Sequence, residues 1–162
     1  MTATINPIAG QYEGHVEPAV LADVPRLAEL GEALHAASRH HRLSFSREKV
    51  EALLTHLIND PNGVVFVSRR DGQIVGACAG IVSPNWFGDD LIGMEYSFFV
   101  EPGARNDMRG TTLVLAFVRW CQRRGAKQVR MGITTGINEP DTAKLYRSLG
   151  LSDGGVLFTK EL

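Results

Sequence analysis

Two stretches of the chain carry residue types and spacings that can do chemistry. The first is EPGARNDMRGTTLVLAFVRW, Glu101 to Trp120, a polar turn with a proline and two glycines that becomes an almost uninterrupted apolar helix with no Ser or Thr capping box. A helix start presents unpaired backbone N–H groups and the positive end of the macrodipole, so a glycine-containing turn before it can wrap an anion such as a pyrophosphate. Arg105 and Arg109 would add charge there. An ordinary strand–turn–helix connection is the competing reading of the same spacing. The second stretch is LIGMEYSFFV, which holds Glu95 in mid-strand. Strand alternation places Glu95 on one face with Gly93, Ser97 and Phe99, away from Met94, Tyr96 and Phe98. A carboxylate in so apolar a strand is costly unless paired or used, and burial raises its pKa toward a useful value for a base. A salt-bridged structural glutamate is the alternative.

Several elements must position these stretches. HVEPAVLADVPRLAEL reads as a short strand, a turn and a helix capped by Asp23, with Pro25 in its first turn, running to about Ala37. ASRHHRLSFS is a polar connector, after which Ser46 caps REKVEALLTHLIND, whose Val50, Leu53, Leu54 and Leu57 share one face. GVVFVSRR and QIVGACAGIVS, joined by Asp71-Gly72, read as a hairpin with a type I′ turn. A looser turn, PNWFGDD, leads to the Glu95 strand. After the Trp120 helix come a strand, KQVRMGI, a loop, TTGINEPD, a short helix, TAKLYRSLG, ended by Gly150, and a last strand, GGVLFTKEL. This order predicts a mixed α/β sheet with helices on both faces.

Composition narrows the function classes. The 162 residues suit a single domain over 15–162 after an irregular N-terminal segment, 1–14. With 17 Lys and Arg against 18 Asp and Glu, a net charge of -1 gives no reason to favour nucleic acid or anionic membranes. Cys78 and Cys121 have neither CxxC nor metal-ligand spacing and read as small buried hydrophobes suited to a reducing, cytoplasmic setting. No basic and apolar leader and no membrane-length apolar run is expected.

SFFVEPGARNDMRGTTLVLAFVRWCQRRGAKQVRMGI, followed by NEPDTAKLYRSLGL, resembles the GNAT superfamily of acyl-CoA-dependent N-acyltransferases. The resemblance spans Val64 to Leu162 and, more loosely, Val16 to Asp60. In that family a strand ending in Val-x-Pro enters a turn patterned Arg/Gln-x-x-Gly-x-Gly/Ala, and a later helix carries Leu-Tyr-x-x-Leu-Gly. Val100-Glu101-Pro102, Leu145-Tyr146 and Leu149-Gly150 match, with Arg105 first and Gly110 last in the turn. Met108 replaces the middle glycine, which puts the strength of cofactor binding in question. The resemblance implies a GNAT-like fold, a central, mostly antiparallel mixed sheet with a splay between the fourth and fifth strands.

It further implies acetyl-CoA as acyl donor, held at Ala104 to Thr111 through Arg105, Asn106, Asp107, Met108, Arg109, Gly110 and Thr111, with the pantetheine arm along Phe98, Phe99 and Val100. Asn138 resembles a family asparagine that contacts the cofactor. Tyr146 matches the tyrosine near the cofactor's sulfur, and a phenol can protonate a departing thiolate and recover its proton. Glu95 would serve as base for an amine that attacks directly, with no covalent enzyme intermediate and neither cysteine near the thioester. His40, His41 and Phe45 fall where the family's first inter-helix loop borders the acceptor. The adjacent histidines suit one metal poorly, and no metal is expected. The acceptor, a small-molecule or protein amine, stays open, as does a homodimer. A non-catalytic acyl-CoA- or protein-binding module is the alternative that Met108 favours. An acyltransferase acting on charged tRNA would call for a more basic surface.

Overall fold

The computed structural model of the chain describes residues 16–105 and 107–162; the segment expected to be irregular, 1–14, lies outside the described residues. In order come strand β1 (Val16–Pro18), helices α1 (Val24–Ala37) and α2 (Arg47–Asn59), strands β2 (Gly63–Arg70), β3 (Gln73–Pro84) and β4 (Leu91–Val100), helix α3 (Arg109–Arg123), strand β5 (Gln128–Arg130) and helix α4 (Glu139–Ser148). Local chemistry sets most of the boundaries. Ser46 Oγ accepts the Lys49 N–H at 3.3 Å and caps α2. Asp71 and Gly72 both have positive φ, 50° and 78°, as a type I′ turn requires. Past α4, Gly150 takes φ 87°, and the N–H groups of Gly150 and Leu151 return to the carbonyls of Arg147 and Tyr146. Asp23 precedes α1 as expected but makes no cap bond. Its carboxylate instead accepts the Val20 N–H, and both of its oxygens accept from Arg69 Nη2, which ties the start of α1 to β2.

The sheet order is β1-β2-β3-β4-β5, antiparallel except for β4 and β5. Leu27, Leu30 and Leu57 of α1 and α2 pack on one face against Val65, Val67 and Ala79. Leu113, Ala116, Phe117 and Cys121 of α3 cover the other face, against Phe66, Cys78 and Val82. Both cysteines are free and fully buried, and burial pushes the Cys121 thiol up to about 12. They are the small core hydrophobes the sequence suggests. No helix among the described residues is long and apolar enough to cross a membrane.

Two expectations need correction. The strand expected over KQVRMGI is confined to Gln128–Arg130, because β5 pairs with β4 only at Ile92, Gly93 and Met94 before the two part. The last strand, expected over GGVLFTKEL, does not form. Residues 151–162 adopt no regular element, and Val156, Leu157 and Phe158 are 80%, 69% and 88% exposed. A strand needs a neighbour to satisfy its peptide groups. This segment is held instead by ion pairs from Arg147 to Asp153 and from Arg42 to Glu161.

The approach of α3 to the sheet depends on missing side chains beneath it. A Cβ at Gly80 would lie 2.5 Å from the Met94 carbonyl oxygen and 2.6 Å from the Phe117 ring. The carbonyl belongs to β4 and cannot swing aside. Gly80→Ala should therefore lower the unfolding free energy by about 1–3 kcal/mol, the usual cost of overpacking, as read by denaturant titration.

Candidate functional site

β4 does not keep strict alternation. In register with β3, Ser97 faces Ala79 and Glu95 faces Gly80, so Tyr96 is the extra residue of a β-bulge. The bulge corrects the grouping expected from alternation. Glu95 stays on the side of Gly93, while Ser97 and Phe99 pass to the α1–α2 face and Phe98 joins Cys78 on the α3 face. The Glu95 carboxylate then reaches across the opening between β4 and β5, where its Oε2 accepts the Gly132 N–H at 3.0 Å. Burial raises its pKa above the ordinary glutamate value, and the Gly132 hydrogen bond offsets part of that rise. Gly132 was not singled out by the sequence; its glycine just beyond the β5 residues was the available signal.

Tyr146 is buried on the inner side of α4, its ring centroid 6.2 Å from that of Phe98. Burial pushes its phenol well above the ordinary value, and the nearby charge of Glu95 and then Cys78 push the same way. Glu95 and Tyr146 thus sit within electrostatic reach of each other, as the sequence reading requires. Cys78 lies closer to them than expected. It is nevertheless fully enclosed, and burial, followed by the Glu95 charge, lifts its thiol well above the usual range, so it offers no nucleophile.

Beyond β4, Pro102–Ala104 form a single 3-10 turn and the chain enters α3 at Arg109. Met108 has φ -77° and ψ 6°, a conformation open to any L-residue, and its side chain is 67% exposed. Methionine therefore replaces the family glycine without backbone strain. Gly110 and Thr111 face the cavity, and a Cβ at Gly110 would sit 3.4 Å from Phe98 and 3.6 Å from Leu145, leaving room for one atom and little more. Arg105 Nε donates to the Val100 carbonyl at 2.7 Å, and its guanidinium lies 5.9 Å from the centre of the Phe99 ring.

Two side chains at this turn behave differently from expectation. Asp107 Oδ1 accepts the Arg109 N–H at 2.9 Å, so the helix start is less bare than the missing Ser or Thr box suggests. An Asp two residues before the first helical residue was the signal for it. Arg109, expected to add charge for an anion, is buried and turned away toward β2. Its Nη1 donates to Ser68 Oγ at 3.2 Å and to the Arg69 carbonyl at 2.8 Å, and its Nε lies 2.7 Å from Asp107 Oδ2 without hydrogen-bond alignment. Asn106 lies outside the described residues.

One cavity of about 890 Å³ joins these groups, and its walls come from both faces of the sheet. Glu95, Phe98, Val100, Arg105 and Tyr146 bound it near the parting of β4 and β5, and Asn138 borders it at the start of α4 in a left-handed conformation, φ 47°. His40 and Phe45 border its other end. His41 is not among the lining residues, and its Nδ1 lies 2.8 Å from the Ser38 carbonyl within its own turn. Among the described residues no three His, Cys, Asp or Glu side chains are grouped to hold a metal ion.

Comparison with known proteins bears on the family and the fold. The model of the acetyltransferase (GNAT) family matches residues 30–151. A mycothiol acetyltransferase from Saccharomonospora viridis is 33% identical over 94 residues, which are 56% of this chain but only 30% of that protein. An aminoglycoside acetyltransferase, meta-AAC0020, from an uncultured soil metagenomic sample superposes with a TM-score of 0.69 at 21% identity, over 91% of this chain and 95% of its own. AAC(6')-Iy, solved with a CoA-containing bisubstrate analog, gives a TM-score of 0.72 at 14% identity, over 91% and 97% of the two chains. At such identities the structural likeness shows the fold alone.

The raised pKa of Glu95 has a consequence for stability. A folded-state carboxyl value above the unfolded one means that the native protein holds this proton more tightly. Stability from this group is therefore present at acid pH and lost as pH rises from the ordinary glutamate range through the raised value. Glu95→Gln keeps an oxygen for the Gly132 N–H and removes the charge. The variant should melt at a higher temperature than the parent at alkaline pH and with it at acid pH; calorimetric scans across pH check both.

Proposed function

We propose that this chain, which belongs to the GNAT acetyltransferase family, transfers an acetyl group from acetyl-CoA to a primary amine by direct attack. The carrying observation is that a carboxylate, Glu95, and a buried phenol, Tyr146, meet in one cavity at the parting of β4 and β5. The residues fit an acyl-CoA donor in a specific respect. Gly110 keeps the wall beside Phe98 and Leu145 open where any larger side chain would fill it, and beyond Met94 no strand pairs with the far edge of β4 among the described residues. The pantetheine arm would run along Phe98 to Val100, and the phosphates would lie at Arg105 to Thr111. The donor supplies an activated thioester carbonyl. Asn138 is a further candidate contact.

In this reading Glu95, directly or through water, takes a proton from the acceptor's ammonium so that its nitrogen can form the C–N bond. Its raised pKa makes it a stronger base than an ordinary glutamate. As the C–S bond breaks, Tyr146 gives its proton to the departing sulfur. The same burial and neighbouring charge that raise its pKa keep the phenol protonated beforehand. His40 and Phe45 border the acceptor side, where His41 is a weaker candidate. Met108 is unstrained and does not line the cavity, which supports the catalytic reading over a non-catalytic module.

Tyr146→Phe keeps the ring against Phe98 and removes only the proton donor. General acid catalysis typically contributes ~100- to 10,000-fold, so turnover measured by thiol release should fall by at least about 100-fold with acetyl-CoA affinity little changed. Full activity in a stable variant would take the tyrosine out of the mechanism. Acetyl-CoA affinity itself is checked separately: by calorimetry, Gly110→Val should bind at least about tenfold more weakly, since one misfitting methyl is commonly worth that much. Met108→Gly, whose side chain leaves the cavity alone, should bind as the parent does.

A further inference from the structure

The cavity continues past Glu95 to the α1–α2 side of the sheet, and its wall there is hydrocarbon. Leu34 of α1, Val50, Leu53 and Leu54 of α2, Phe45 of the connecting loop and Phe99 of β4 bound this end. The acidic residues of the two helices do not line it; Glu29 is paired with Arg26 at 3.2 Å and Glu51 with Arg47 at 2.8 Å. The ionisable side chains on this end are His35 and His40, with the Arg105 guanidinium 5.9 Å from the centre of the Phe99 ring, and none of the three is a carboxylate. His35 is already engaged, with Nε2 2.9 Å from the Leu43 carbonyl and its ring 5.3 Å from that of Phe45. The remaining carboxylates of the cavity, Asp107 and Asp141, belong to the starts of α3 and α4. An ammonium brought to Glu95 therefore meets one carboxylate, and whatever it is attached to meets apolar side chains.

From this we infer that the acceptor is a monoamine with an apolar body, aromatic or branched aliphatic, which lies against Leu34, Leu53, Leu54 and Phe45 with its nitrogen at Glu95. The inference rests on the acyl-transfer reading and specifies its substrate class. A polyamine or an aminoglycoside would carry a second ammonium into this wall, where no carboxylate compensates the lost water. The likeness to aminoglycoside acetyltransferases extends to the fold and does not specify the acceptor. The same recess would also receive a long acyl chain, since the thioester carbonyl and the amine must meet at one point.

The test measures thiol release for the full chain in two arms. In one, acetyl-CoA is combined with an arylalkyl monoamine, a branched aliphatic monoamine, ethylamine, a diamine of the arylalkyl amine's length, and an aminoglycoside. In the other, ethylamine is combined with acyl-CoAs of increasing chain length. The expected result is a kcat/KM for the apolar monoamines at least about tenfold above ethylamine, the diamine and the aminoglycoside, since each methylene in a hydrophobic pocket is worth roughly tenfold or more. Leu53 is 37% exposed, so a charge there can be accommodated without unfolding α2. Leu53→Glu should lower kcat/KM for the arylalkyl amine by about tenfold and raise it for the diamine, on the same pocket argument. Preference for the diamine or aminoglycoside in the parent would overturn the inference and leave acyl transfer standing. So would a steep rise with acyl length and no dependence on the amine. Acetyl-CoA binding without thiol release for any amine would overturn both.

Discussion

The arrangement turns on how little of β4 and β5 is paired. Three parallel residue pairs join them, and from Met94 onward each strand goes its own way. Peptide groups that leave a ladder must find other partners. Glu95 provides one, accepting the Gly132 N–H across the opening. The bulge at Tyr96 makes this reach available, because it lets Glu95 stay at the opening while the next residues change faces. The gap connects the two faces of the sheet and lets one cavity have walls from α1 and α2 as well as from α3 and α4.

Close packing elsewhere fixes the position of that gap. α3 sits tightly on the sheet because Gly80 and Gly93 present no side chains beneath Phe117 and Cys121. Arg109 anchors the start of α3 to β2, and Arg26 joins α1 to β3 through the Ile74 carbonyl and to the turn after β4 through a 2.8 Å ion pair with Glu101. These side chains were candidates for ligand contacts or passed unremarked in the sequence. Their structural work is to hold the turn that would receive the donor against the strand that would receive its arm. The electrostatics follow from the same enclosure: Glu95 and Tyr146 are both pushed upward by burial, and the charge of the first helps keep the second protonated.

Local signals in the sequence translated well. Asp71-Gly72 made its I′ turn, Ser46 capped its helix and Gly150 ended another, because each depends on residues within a few positions. Pairing partners were less legible. GGVLFTKEL has strand composition, yet composition does not supply a neighbour, and the segment stays unpaired. The bulge at Tyr96 is set by the register between β3 and β4, which alternation along one strand cannot disclose. Arg109 was read as adding charge for an anion, and His41 as bordering the acceptor. Arg109 instead found Ser68 and the Arg69 carbonyl, and His41 turned to Ser38.

The two ends of the cavity have different physical origins, and this bears on what the fold can say about the substrate. The end proposed for the donor is made of backbone: a glycine, a helix start and a strand edge that has no partner strand beyond Met94 among the described residues. The end proposed for the acceptor is made of apolar side chains of α1 and α2 that lie beside those holding the helices to the sheet, with Leu54 common to both. A polar substitution at Leu54 would alter core packing as well as the proposed acceptor wall, whereas Leu53 is partly exposed. On the proposed reading, acceptor preference rests on side chains of the helix faces, and the turn of Arg105 and Gly110 bears only on the donor. Similarity of fold at 14% or 21% identity shows the fold and specifies no substrate.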